Sequence, residues 1–122
     1  GESLRETRTL DELRRKRARL NSDPDGMWTL GVVPAAGAHV RTETLAIRLP
    51  AVGMLGTDGF ADLVDSYRAC TAEGLIARAE TDGLRALLEE LRHIERVVDP
   101  DGVRFPRYKR SDDASAVLLR VV

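Results

Sequence analysis

The sequence predicts an α+β fold of two layers, in which helices pack on one face of an antiparallel four-stranded sheet. Apolar residues recur at helical spacing over residues 57–98, and they alternate along residues 40–49 as in a half-buried strand. With 122 residues, 43% apolar and 32% charged, the chain has the size and composition of a single domain, 1–122. We expect residues 1–8 to be disordered or foreign to the natural protein. The predicted element order is αββααββ.

The first element is a helix over residues 9–21. Residues 9–12 fit a capping box, in which a Thr hydroxyl and a Glu carboxylate bind free backbone amides at the helix start. The apolar stripe of this helix is narrow, because Arg17 lies on the same side as Leu13 and Leu20. The helix should therefore lie against another surface.

Four segments have the composition of strands: 27–33, 40–49, 103–108 and 114–122. An Asp-Pro-Asp-Gly sequence precedes each pair of strands, at residues 23–26 and 99–102. It predicts a turn, because Pro presets the first central φ and Gly accepts the geometry at the end. The first pair is joined by a hairpin connection at 34–37. The small, uncharged segment 51–56 is predicted to be a loop, or a surface that another chain covers.

Helical spacing predicts two helices in the middle of the chain. The first begins at Thr57, and its inward side chains are Phe60, Leu63, Val64, Tyr67 and Cys70. The second begins at Thr81 or Asp82, and its inward side chains are Leu84, Leu87, Leu88, Leu91, Ile94 and Val98. Residues 71–80 also suit a helix, so a bent continuous helix remains an alternative, with Gly74 as its weak point.

Composition argues against a membrane span and an internal disulfide. The longest uncharged stretch, 26–40, is interrupted by Gly and Pro, whereas a spanning helix needs about 20 continuous apolar residues. Residues 1–6 contain no apolar signal segment, and Cys70 is the only cysteine, so we expect a reducing cytoplasm. Among 19 basic residues only Lys16 and Lys109 are lysines, which indicates the GC-rich coding of many bacteria. Because the chain ends in a predicted strand, either that strand is pinned in the sheet or the chain is a fragment of a larger bacterial protein.

The familiar patterns of catalytic and cofactor sites are missing from the sequence. The soft metal ligands Cys70, His39 and His93 are not at ligand spacing, and no nucleophile elbow is present. The glycines of residues 53–59 match neither a Walker loop nor a dinucleotide fingerprint. We therefore expect no metal, no cofactor and no catalytic residue.

Glu95 is the exception among the carboxylates, because helical spacing places it among the inward leucines of the second helix. An unpaired carboxylate in that place would be costly, but its position in the last turn lets it reach solvent or an arginine. A cleft beside Cys70 or Glu95 is the remaining enzymatic hypothesis.

Charge is distributed unevenly along the chain, although the formal net charge is only −1. Residues 13–20 hold five basic residues and no acid, and residues 103–110 hold four basic residues. Residues 57–102 hold eleven acids against five arginines. Such complementary segments would steer association and set orientation.

These features predict a non-enzymatic domain for protein–protein interaction or oligomerisation, which forms a homo-oligomer whose association weakens in salt. The expected contact residues are Leu13, Arg14, Arg17 and Leu20, with Trp28 and Met54 as further apolar anchors. The alternative is a nucleic-acid-binding accessory domain, since basic residues interleaved with aromatics are typical of single-strand-binding surfaces. Its contact residues would be Arg104, Phe105, Arg107, Tyr108, Lys109 and Arg110. No membrane partner is expected.

Overall fold

The computed structural model describes the backbone of residues 2–122 and the side chains of residues 9–122. Close backbone contacts fall mainly within two compact units, Gly1–Leu45 and Ala46–Val122. The single domain predicted from the sequence stays a prediction. The side chains of residues 1–8, which were predicted to be disordered or foreign, lie outside the described residues.

The first unit begins with helix α1 (Glu2–Ala18). This helix starts before the predicted capping box, because Glu, Leu and Arg, which dominate its first turns, all have good helix propensity. After the helix, Asn21 adopts a left-handed backbone with φ of 58°. Its backbone amide donates to the Met27 carbonyl at 3.1 Å, and its side-chain oxygen accepts from the Thr29 amide at 2.7 Å. These bonds bridge the turn that the sequence predicts over residues 22–26.

Two predicted strands, 27–33 and 40–49, are wrong, since neither of these described segments forms a strand. Where a hairpin connection was predicted, Pro34–His39 forms a short 3₁₀ helix, which Pro suits because its fixed φ matches the first helical position. Apolar side chains in both segments, such as Leu30 and Leu45, are exposed. Alternation makes a strand possible, but backbone pairing with a neighbour is what forms it.

The second unit places three helices between two strands. Its elements are β1 (Ala51–Gly56), α2 (Asp58–Asp65), α3 (Ala72–Thr81), α4 (Leu84–His93), a π-helical turn (Ile94–Val98) and β2 (Ala116–Val121). Positive φ angles separate the helices, at 51° for Arg68 before α3 and 85° for Gly83 before α4. The bent continuous helix considered from the sequence is therefore replaced by three separate helices.

The predicted four-stranded sheet is wrong, because the described residues form a sheet of two antiparallel strands, β1 and β2. The register runs from Ala51 opposite Val121 to Gly56 opposite Ala116. Residues 51–56, predicted as a loop, form β1, and the predicted strand at 103–108 is irregular. The class α+β holds, but the order αββααββ does not, because strand pairing here joins segments far apart in the chain.

The helices of the second unit pack together and cover one face of the sheet. The buried core consists of Phe60, Leu63, Tyr67, Leu75, Ala79, Leu87 and Leu91. Most of these belong to the two inward arcs that helical spacing predicted. The half-buried Met54, Ala116 and Leu118 pack against this core from the sheet.

The start of α2 is tied to the segment that leads into β2. Thr57 and Ser115 exchange hydrogen bonds, with the Thr57 backbone amide donating to the Ser115 carbonyl at 2.9 Å and the Ser115 amide donating to the Thr57 hydroxyl at 3.0 Å. At Gly59 a Cβ atom would stand 2.3 Å from the Asp113 carbonyl oxygen, so only glycine permits this approach. The contact brings residues 105–112 beside α2.

Candidate functional site

A single carboxylate, Asp99, organises the loop that follows α4. It is buried, and its Oδ1 accepts hydrogen bonds from the amides of Val103 and Arg104 at 2.9 and 3.1 Å. Its Oδ2 accepts from the Phe105 amide at 2.9 Å and from Arg107 Nη1 at 2.8 Å. Burial by itself would raise the pKa of Asp99, but these bonds outweigh it and hold the pKa below its usual value.

The guanidinium of Arg107 is fully used within the chain. Its Nη1 donates to Asp99 and to the Phe105 carbonyl, its Nη2 to the carbonyls of Asp99 and Glu95, and its Nε to the Arg110 carbonyl. An arginine has five N–H donors, and these five acceptors account for all of them. Arg107 therefore holds the loop against the π-helical turn.

Glu95 lies in the π-helical turn and is 1% exposed. Its Oε2 accepts a hydrogen bond from Arg92 Nη1 at 2.7 Å, and Arg92 Nη2 donates to the Asp112 carbonyl at 2.8 Å. The sequence prediction that Glu95 is inward and reaches an arginine is confirmed. The pair also ties α4 to the segment before β2.

Tyr67 is buried next to Glu95 and Arg107. The side chain is 5% exposed, its ring packs edge to face on Phe105 with 5.3 Å between centroids, and Arg107 lies over it at 5.9 Å. Burial and the nearby charge of Glu95 raise the pKa of Tyr67, and Arg107 opposes this only in part. The phenol therefore stays protonated at neutral pH.

A cavity of about 290 Å³ opens between α2, the π-helical turn and residues 106–112, and we name it the Tyr67 cavity. Its polar lining residues are Asp58, Asp62, Ser66, Tyr67, Glu95, Arg107, Tyr108, Lys109, Ser111 and Asp112. Lys109 Nζ is held by Asp112 Oδ1 at 2.5 Å. Both cations of the lining, Arg107 and Lys109, are therefore engaged by acceptors of the chain.

The second candidate is the face of the sheet that points away from the core. Because side chains alternate across a strand, one face carries Ala51, Gly53, Leu55, Val117, Leu119 and Val121, and we name it the outer face. Leu55 is 65% exposed and Val117 is 54% exposed. The outer face has no charged side chain, so it is a continuous apolar surface in solvent.

The contact residues predicted on the first helix lie in the first unit. Leu13, Arg14 and Arg17 belong to α1, and Leu20 lies in the turn beyond its end. Arg14 is within 3.6 Å of Asp11, and both side chains are exposed. The predicted anchor Trp28 stacks on His39 with 3.7 Å between ring centroids. Met54, the other anchor, lies on the core side of the sheet.

The residues predicted for nucleic-acid contact form one segment, but they do not share one surface. Phe105 packs against the core, Arg107 is engaged by Asp99, and Lys109 is paired with Asp112. The remaining members, Arg104, Tyr108 and Arg110, are exposed.

The sequence did not single out the two candidate sites. From the sequence, Asp99 was predicted only as a turn residue and Tyr67 only as a core residue. Their contacts arise because residues 103–107 fold back onto the end of the π-helical turn, and no local sequence pattern predicts this. The outer face had a partial signal, because residues 51–56 are uncharged and were noted as a surface that another chain could cover.

The three soft side chains weighed in the sequence belong to different elements: His39 ends the 3₁₀ helix of the first unit, Cys70 precedes α3, and His93 ends α4. Cys70 is a half-buried free cysteine, and His93 is exposed on α4. Within the described part of the chain, no three His, Cys, Asp or Glu side chains form a group that could hold a metal ion. The described helices also include none with the length and apolar character needed to cross a bilayer.

Comparison of the chain with protein-family models, with curated proteins and with solved structures gave no match.

Proposed function

We propose that this chain is a protein–protein interaction module that forms a homo-oligomer through the outer face of its sheet. The observation that carries the proposal is the exposure of Leu55, Val117, Leu119 and Val121 on one charge-free surface. Soluble proteins seldom leave contiguous apolar side chains uncovered unless the surface binds something. The proposal keeps the interaction function expected from the sequence and moves the contact from α1 to the sheet.

A second copy of this chain is the occupant that the surface favours. In a two-fold symmetric dimer the outer faces of the two copies contact each other. Because the outer face has no charged side chain, this contact involves no like-charge repulsion. The helices cover only the inner face of this two-stranded sheet. Stacking two such sheets face to face, about 10 Å apart, buries the outer side chains of both and supports each sheet.

The nucleic-acid alternative has less support. A backbone-contacting surface needs several free cations, and the ion pairs of Arg107 and Lys109 leave Arg104 and Arg110 as the outward cations of that segment.

The test is the self-association of a variant with a charge on the outer face. Leu119→Asp is expected to weaken dimerisation at least about thirtyfold, because a carboxylate in a dry apolar interface costs several kcal/mol. Sedimentation equilibrium measures the effect, and circular dichroism checks that the variant folds. Val121→Asp, nearer the strand end, serves as a second variant.

The matched control is Leu30→Asp, which makes the same change at a fully exposed leucine of the first unit. It should leave the dissociation constant unchanged. A wild-type chain that stays monomeric at about 100 μM, far above a micromolar dissociation constant, would contradict the proposal. So would a folded Leu119→Asp variant that dimerises like the wild type.

A further inference from the structure

A buried hydrogen-bond donor in the first unit has no acceptor. The donor is the indole Nε1 of Trp28, and among the described residues it is the only buried side-chain nitrogen or oxygen atom without a hydrogen-bond partner. Most buried polar groups in folded proteins have a partner, because leaving one unpaired costs free energy. An indole nitrogen only donates, so the missing partner is an acceptor.

Trp28 lines a cavity of about 940 Å³ whose lining comes from residues 24–41 of the first unit, and we name it the Trp28 cavity. Sites for small molecules commonly have volumes of roughly 300–1,000 Å³. The Trp28 ring stacks on His39 with 3.7 Å between ring centroids, so a ligand lies beside this stack and not between the two rings. Because Nε1 is buried, an acceptor reaches it when the atoms that cover it move aside.

A second donor of the same lining is also unused. Arg41 lines the cavity, and its guanidinium makes no hydrogen bond or ion pair with a described residue. The planar guanidinium matches the two oxygens of a carboxylate, so the free donors of the lining favour an anionic acceptor over a neutral one. The lining contains one acid, Asp25, which is not paired with Arg41, so an anion would bind on the Arg41 side.

The rest of the lining is mainly apolar, and part of it is exposed. Met27 is 69% exposed and Val40 is 71% exposed, and both line the cavity. An apolar ligand body that covers these side chains removes apolar surface from water, which favours binding. An apolar lining with a few polar groups is typical of small-molecule sites, and here those groups are the two donors.

We propose that the Trp28 cavity binds a small apolar carboxylic acid in its ionised form. The carboxylate accepts hydrogen bonds from Trp28 Nε1 and from the Arg41 guanidinium, and the apolar body of the ligand covers Met27 and Val40. All of these residues belong to the first unit, so the proposal does not rest on self-association through the outer face.

The experiment is a titration of the purified chain with phenylacetate, followed by NMR and by tryptophan fluorescence. Trp28 is the only tryptophan of the chain, so its indole N–H gives a single NMR signal and its emission reports on this cavity alone. Phenylacetamide and 2-phenylethylamine carry the same ring with a neutral or a cationic group, and they test whether the carboxylate is required.

Arg41→Gln removes the cation of the lining and tests its assignment. Arg48→Gln is the matched control, because Arg48 is an exposed arginine that does not line the cavity. Leu119→Asp, the variant of the outer face, should bind phenylacetate like the wild type, so a failure of the dimer and a failure of this site are distinguishable.

We expect phenylacetate to bind with a dissociation constant of about 1 mM or tighter and to move the indole N–H signal downfield, as a new hydrogen bond does. The amide and the amine should bind at least about threefold more weakly, and Arg41→Gln should weaken phenylacetate binding by a similar factor, because each loses a charge pair at an exposed arginine. Arg48→Gln should not change binding. Four results would overturn the proposal: no saturable binding of phenylacetate, binding that leaves the indole N–H signal in place, equal or tighter binding of the amide or the amine, or a folded Arg41→Gln variant that binds like the wild type.

Discussion

Two buried carboxylates, Asp99 and Glu95, show how a charge becomes part of the interior. Asp99 receives four hydrogen bonds, three of them from backbone amides, so its charge is compensated by the loop that it organises. Glu95 instead relies on Arg92, whose side chain is 24% exposed. A buried charge is tolerated in both places because a partner removes the cost of leaving water.

Asp99→Asn is expected to lower the melting temperature at neutral pH, because the neutral amide accepts these bonds more weakly. The pKa of Asp99 is lower in the folded chain than its usual value. At pH values between the folded and the unfolded pKa, the unfolded chain therefore binds more protons than the folded chain. The stabilisation by Asp99 is therefore present above about pH 4 and is lost as the pH falls through the folded pKa. The melting temperature should therefore change less between neutral and acid pH in the variant than in the wild type.

Asp101→Asn is the control for this prediction, because Asp101 is an exposed carboxylate of the same loop. Its melting temperature should equal that of the wild type at each pH. If Asp99→Asn also had the melting temperature of the wild type, the hydrogen-bond network would not contribute to stability.

The link between α3 and α4 depends on one glycine. Gly83 has φ of 85° and ψ of 156°, a backbone conformation that is almost restricted to glycine. Because the core uses side chains from both helices, including Ala79 and Leu87, the angle of this link decides whether the two helices can pack.

Gly83→Ala is expected to destabilise the fold by about 1–3 kcal/mol, since a Cβ atom is strained in that conformation even though no atom crowds it. Urea unfolding gives the free energy directly. Gly37→Ala is the matched control, because Gly37 also has open space around its missing Cβ and is not among the residues with positive φ. Equal stability of the two variants would show that the Gly83 backbone relaxes at no cost.

The helices were more predictable than the strands. The leucines of α4 recur within a few residues, so the inward face can be identified before any partner is known. The strand β1 contains two glycines and little β-branched content, and what makes it a strand is its pairing with β2 at the other end of the second unit. The segment 40–49 has the better strand pattern but no partner, and it is not a strand.

At the level of the whole molecule, several charged side chains are paired within the chain. In the second unit Arg78 pairs with Glu90, Arg92 with Glu95, and Arg120 with Glu80. In the first unit Arg19 pairs with Asp23. Charges that are paired locally have little left to steer a partner.

The proposed dimer is therefore expected to respond little to salt. Its dissociation constant should change less than about threefold between about 0.05 and 0.5 M salt, because screening acts on charges and the outer face has none. Sedimentation equilibrium at several salt concentrations measures this. The double variant Arg14→Ala and Arg17→Ala on α1 should associate like the wild type.

A steep loss of association with salt, or its loss in the α1 double variant, would instead support the contact that was predicted from the sequence. In that case Leu119→Asp should have little effect, so the two variants distinguish the two surfaces.

The sequence by itself determined the inward faces of α2 and α4 and the inward position of Glu95, because each depends on spacing within a few turns of one helix. The tertiary structure decided the pairing of β1 with β2, and with it the outer face. The tertiary structure also formed the Tyr67 cavity, because Asp99 and Arg107 hold the loop whose residues lie beside α2. Both features join segments that are distant in the chain, and their partners are chosen by packing and backbone hydrogen bonds rather than by local periodicity.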